Sequence, residues 1–91
     1  MTTFDLIAQW AHDRNLIDGS NSQAQMCKLM EETGELAGAI AKGNLDGVED
    51  GIGDCVVVLT ILAKKNGLNI EDCIQRAYAE IKDRKLSLIH I

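Results

Sequence analysis

The chain has 91 residues, 46% of them hydrophobic, and a formal net charge of −5. That length holds one small domain, and the acidic balance argues against wrapping nucleic acid, which takes a basic stripe to displace counterions. The longest apolar stretch, residues 55–63, is about half of the roughly 20 residues a membrane span takes. A nucleotide substrate stays open, because bound metal ions invert the local charge of an acidic site. A domain this small buries only about two thirds of its unfolded surface, so its apolar supply points to burial against another subunit. Cys27, Cys55 and Cys73 are odd in number and include no Cys-x-x-Cys pair. They read as reduced, partly buried thiols, with the cytoplasm as the compartment. The N-terminus has no basic n-region or apolar h-region, so no secretion signal is read there.

No proline, repeat or low-complexity run divides the chain, and residues 1–85 read as one all-α domain of four helices. The spacing predicts a first helix over residues 3–14, with Phe4, Ile7, Ala8 and Ala11 on one face. Asp18-Gly19-Ser20-Asn21 is a turn signal. A second helix covers residues 22–42 and stops at Gly43. Asn44 caps a third, which reaches residue 66 before Gly67 ends it. Asn69 caps a fourth, with Ile70, Cys73, Ile74, Ala77, Tyr78 and Ile81 at helical spacing. Residues 55–62, Cys-Val-Val-Val-Leu-Thr-Ile-Leu, carry strand propensity. They have no second strand to pair with, and they continue a 3.6-residue pattern begun upstream, so they read as helix. A helix apolar nearly all round must be buried on most sides, which again points to an interface. Residues 86–91 resemble the translated end of a sequencing adapter and read as a non-native tail.

Two acidic clusters stand on consecutive helices. On the second helix, Leu29, Met30, Thr33, Leu36, Ala37 and Ile40 form the apolar stripe at about 100° per residue. Glu32 falls on its border with Lys28 and Glu35 a turn to either side, and Glu31 lies further round. On the third, Gly47, Asp50, Gly51 and Asp54 continue into the stripe of Val57, Val58 and Ile61, so those carboxylates point inward. Inward carboxylates are costly without compensation, and Lys28 is the one cation near them. A hard divalent ion resolves the repulsion, and magnesium joins carboxylates to phosphate oxygens. Gly47, Gly51 and Gly53 each cost a helix roughly 1 kcal/mol against alanine, which fits close approach of a substrate or another helix. The plainer reading is a set of solvated acids on amphipathic helices.

Lys28-x-x-Glu31-Glu32-x-x-Glu35-Leu36, then Gly53-Asp54-Cys-Val-Val-Val-Leu, with the ending Ala77-Tyr78-Ala79-Glu80-Ile81-Lys82-Asp83-Arg84-Lys85, resembles the MazG-like all-α NTP pyrophosphohydrolases over residues 22–85. The resemblance implies a four-helix bundle-like protomer assembling as a dimer or tetramer, with helices of two chains framing each site. It implies magnesium-dependent hydrolysis of (deoxy)nucleoside triphosphates to the monophosphate and pyrophosphate, clearing unwanted nucleotides, with manganese as a substitute ion. Glu32, Glu35 and Asp54 would be metal ligands, and Glu31 a further acid that orients or deprotonates water. Lys28, Lys82 and Arg84 would contact phosphates. The family's Glu-x-x-Asp motif has Gly51 at its glutamate position here, and Asp50, sharing a face with Asp54, is expected to replace it. Ala79 stands where many relatives carry asparagine.

Other readings stay open. Trp10 either stacks on a nucleobase or packs in the core. Lys82 and Arg84 also suit a solvated basic helix end. A non-catalytic helical oligomer that binds nucleotide or a protein partner is the alternative to the enzyme. No Gly-x-x-x-x-Gly-Lys-Ser/Thr run is present, and neither histidine follows a glutamate by three, as a diiron bundle would need.

Overall fold

Four side-chain caps divide the chain into its helices. The computed structural model describes residues 1–84, so the expected tail at 86–91 lies outside the described residues. Helix α1 is Thr3–Asp13, α2 Ser22–Ala41, α3 Leu45–Lys65 and α4 Ile70–Ile81. Thr2 opens α1 with a capping box: its hydroxyl accepts from Asp5 N at 3.2 Å, and Asp5 accepts from Thr2 N at 2.9 Å. Asn21, Asn44 and Asn69 accept from the backbone of Ala24, Gly47 and Glu71 at 2.7, 3.1 and 2.8 Å. Each satisfies an otherwise orphaned N–H. After α2 and α3 the chain turns at Gly43 (φ 66°) and Gly67 (φ 70°), where glycine enters the left-handed region without a Cβ penalty. The β-branched run at 55–62 is helical throughout.

The connection at residues 42–44 folds α3 back along α2, and this pair makes the densest contact in the molecule. α1 packs on α3, and α4 touches α3 only lightly. Lys65 fastens the α1–α2 loop, donating from its ammonium to the carbonyls of Ile17 and Ser20. Ala11, Val58, Ile61 and Ala63 are the buried apolar residues. The radius of gyration is 14.8 Å, against about 12 Å for a compact domain of this length. No helix among the described residues is long and apolar enough to cross a membrane.

Two expectations change here. The inward ridge of α2 runs through Gln25, Leu29, Glu32 and Leu36, while Met30, Thr33, Ala37 and Ile40 of the expected stripe face outward. The cause is α3, whose Gly51 draws Leu36 and its ridge against the α3 backbone. The cysteines are free, as expected, but Cys27 and Cys73 are exposed and Cys55 is half-buried.

Candidate functional site

The inward turn of α2 brings Glu32 against α3, with 8% of its surface exposed. Its Oε1 pairs with Lys28 Nζ at 3.3 Å, one turn earlier. Its Oε2 is buried and has no hydrogen-bond partner, which is costly for a carboxylate oxygen. Lys28 also reaches Glu31 Oε2 at 3.4 Å. Glu32, then Glu31, hold the Lys28 ammonium protonated above its usual range.

Asp54 faces Glu32 from α3. Burial pushes its carboxyl above the usual carboxylate range, and the anionic Asp50 and Glu32 beside it push the same way. Glu32, Asp50 and Asp54 therefore form one electrostatic cluster, with Asp50 on its exposed side. Glu31 and Glu35 are exposed. Glu35 makes no hydrogen bond or ion pair among the described residues, and no three acidic, histidine or cysteine side chains there are gathered tightly enough to enclose an ion as they stand.

Gly51 is buried. A Cβ on it would lie 3.1 Å from Leu36 Cβ, 3.2 Å from Cδ1 and 3.3 Å from Cα. A side chain at 51 therefore needs Leu36 of α2 to give by a few tenths of an ångström. Gly47 is tight against Ala39, at 3.0 Å from an added Cβ to Ala39 Cβ, whereas nothing in the protomer lies within 4 Å of one on Gly53.

The cluster borders a cavity of about 470 Å³ lined by Trp10, Leu16, Ala24, Gln25, Lys28, Glu32, Asp54, Val57, Val58 and Ile61. A neighbouring cavity of about 400 Å³ shares Trp10, Asp54 and Val57. Trp10 is 44% exposed, so it is a cavity wall rather than core. The Arg14 guanidinium sits 4.5 Å over its ring centroid. Lys82 caps the C-terminal end of α4 and Arg84 lies just beyond it, on a helix that touches α3 only lightly. Sequence reasoning placed Val57 on the inward stripe of α3 but missed Leu16 and Gln25. Gln25 was findable, being seven residues before Glu32 and so on the same face of α2.

The sequence model of the MazG nucleotide pyrophosphohydrolase domain matches residues 20–88. An uncharacterized 18.2 kDa protein from the rep-hol intergenic region of Haemophilus phage HP1 is 54% identical over 63 residues, covering 69% of this chain and 39% of that protein. The chain thus spans about two fifths of the length of that relative. No solved structure matches it significantly.

Proposed function

The chain belongs to the MazG nucleotide pyrophosphohydrolase domain family, and on that premise we propose that it hydrolyses (deoxy)nucleoside triphosphates to the monophosphate and pyrophosphate. It does so with magnesium, or manganese in its place, as a cytoplasmic homo-oligomer that clears unwanted nucleotides. The observation that carries this reading is the Glu32 carboxylate, one oxygen of it buried and unpartnered, clustered with Asp54 and Asp50 beside an open cavity.

That oxygen is what a hard cation would take up. The donor set is all carboxylate, the kind magnesium accepts while keeping waters and phosphate oxygens as its other ligands. Glu32, Asp50 and Asp54 would hold the ion, with Glu35 joining from the next turn of α2. When bound, it supplies Lewis acidity and positive charge at the phosphates. The chain's own groups do the rest. Lys28, kept protonated by its two glutamates, steadies phosphate oxygens. Glu31, exposed and paired with Lys28 of the cavity wall, orients or deprotonates the attacking water. Water's oxygen joins one phosphorus, and the α–β bridging oxygen leaves with the other fragment. Trp10 offers its ring to the base.

Lys82 and Arg84 act on phosphate from a second copy, as suits the end of a helix so lightly packed on its own protomer. Self-association is supported by apolar seams left outside the protomer. Met26, Met30, Thr33, Ala37 and Ile40 follow a 4-3-4-3 spacing on α2, all exposed, and Leu45, Ile52 and Leu59 repeat every seven residues on α3, all exposed.

One observation favours the second reading, a non-catalytic oligomer that binds nucleotide or a protein partner. Gly51 removes a ligand from the family motif, and the remaining acids are not drawn tightly together. Pyrophosphate release from a panel of ribo- and deoxyribonucleoside triphosphates, with Mg²⁺, with EDTA and with Glu35→Gln, separates the two. Mg²⁺-dependent release, lost in the variant, is expected. Nucleotide binding without release from any triphosphate establishes the second reading instead.

A further inference from the structure

The wall of the cavity against α2 is chemically mixed. Glu32 and Asp54 supply carboxylates, and Trp10, Leu16 and Val57 supply apolar surface. Gln25 is the one uncharged polar side chain on its wall, and it is 9% exposed. A buried carboxamide is costly unless its donors and acceptors are used. Its Nε2 donates to Ser20 Oγ at 2.9 Å. The Ser20 hydroxyl donates in turn to the Asn21 carbonyl at 3.4 Å, which leaves its oxygen to accept. This pairing sets the carboxamide with its amino group toward Ser20. Oε1 accepts no hydrogen bond among the described residues, and it is not sealed away as Glu32 Oε2 is. It is the acceptor that Gln25 offers to whatever enters the cavity.

The helix also supplies a ruler. Gln25 and Glu32 are two turns apart on α2, about 10.5 Å along the axis. That spacing suits a nucleotide lying along α2, its base edge at Gln25 and its inner phosphates at the acids.

We propose that Gln25 reads the nucleobase, its Oε1 accepting from the 4-amino group of cytosine or the 6-amino group of adenine, so that these are preferred over uracil, thymine or guanine, which carry a carbonyl there. Ser20 is the positioning residue that keeps Oε1 turned toward the base. A base with a carbonyl at that ring position sets two acceptors face to face, and neither finds a donor. The inference rests on the nucleotide reading of the acidic site.

Trp10 is the chain's only tryptophan and lines the same cavity, so its fluorescence reports binding without turnover. Titration with dCMP and dUMP, which differ in the group at C4 and in the N3 proton that goes with it, is expected to give at least about tenfold tighter binding of dCMP, on the scale of one hydrogen bond against an unmatched acceptor. Gln25→Leu should erase the ratio by weakening dCMP and leaving dUMP unchanged. Ser20→Ala, milder and a safeguard should Gln25→Leu not fold, should narrow the ratio at unchanged helical circular dichroism. Equal wild-type affinities, no binding of either monophosphate, or equal loss of both in a folded Gln25→Leu each overturn the proposal. Pyrophosphate release from dCTP and dUTP is scored separately. Selective binding without release keeps the base reading and removes hydrolysis; release without selectivity does the reverse.

Discussion

Glu32 is half-satisfied: Lys28 answers Oε1, and Oε2 is sealed without a partner. Neutralising Glu32 leaves Lys28 paired with Glu31 and relieves Asp54 of a repelling neighbour. Glu32→Gln should therefore leave the melting temperature of the metal-free protein unchanged or raised. Its Mg²⁺-dependent pyrophosphate release should fall at least about 100-fold, beyond the 10–100-fold that loss of an outer partner of a metal typically costs. A large fall in melting temperature with activity retained would make Glu32 a structural residue. Asp54 allows a pH test whose sign is fixed. Its carboxyl sits above 3.8 in the folded chain, so the folded state holds the proton longer than the unfolded one. The stability it contributes is present at low pH and is lost as pH rises from 3.8 through the folded value. In EDTA, Asp54→Asn should gain melting temperature relative to wild type across that window and hold the gain above it. Mg²⁺ should raise wild type and leave the variant where it was.

The helices themselves were largely legible, because each boundary is written in one residue: Asn44 and Asn69 as caps, Gly43 and Gly67 as stops. The face of α2 was not. Its sequence carries two apolar stripes, and counting hydrophobic positions chose the one containing Met30, Ala37 and Ile40, which lies outside. The inward ridge is the one with a carboxylate in it, and what selects it is a glycine on another helix. Gly51 lets Leu36 approach the α3 backbone, a pairing no single-helix pattern reveals. The acids were legible as types at helical spacing, and Asp50 and Asp54 as sharing a face; Gln25 shares the face of Glu32 by its spacing, but only the cavity around it gives that amide a role. Paired substitutions test this packing. Gly51→Ala gains roughly 1 kcal/mol of helix propensity but sets a methyl 3.1 Å from Leu36 Cβ, and overpacking costs about 1–3 kcal/mol. A net loss of about 1 kcal/mol in chemical denaturation is expected from those two magnitudes. Gly53→Ala meets nothing within 4 Å and should stabilise the isolated protomer by up to about 1 kcal/mol. A stabilised Gly51→Ala would mean that α2 is not held there.

At the scale of the whole molecule, the protomer is too open for what it carries. Few apolar side chains are fully buried, and no residue of α4 is, although Ile74, Tyr78 and Ile81 share its apolar face. The outward seams of α2 and α3 repeat at the interval by which helices of separate chains interlock. A second copy would cover these seams on both chains and, on the proposed reading, would bring Lys82 and Arg84 to the acidic cluster. Ile40 is 61% exposed in the single chain, and burying one isoleucine contributes about 1.5–3 kcal/mol. Ile40→Lys, acting in both copies, should weaken association by about 4 kcal/mol, roughly a thousandfold in Kd. Sedimentation at micromolar concentration should find wild type at a multiple of 9.9 kDa and Ile40→Lys at the single-chain mass with its helices retained. If the partner's basic residues complete the site, pyrophosphate release falls with the oligomer and returns at concentrations that restore it. Wild type sedimenting as a single chain at tens of micromolar, yet fully active, would place the phosphate contacts within one protomer and remove the second copy from the site.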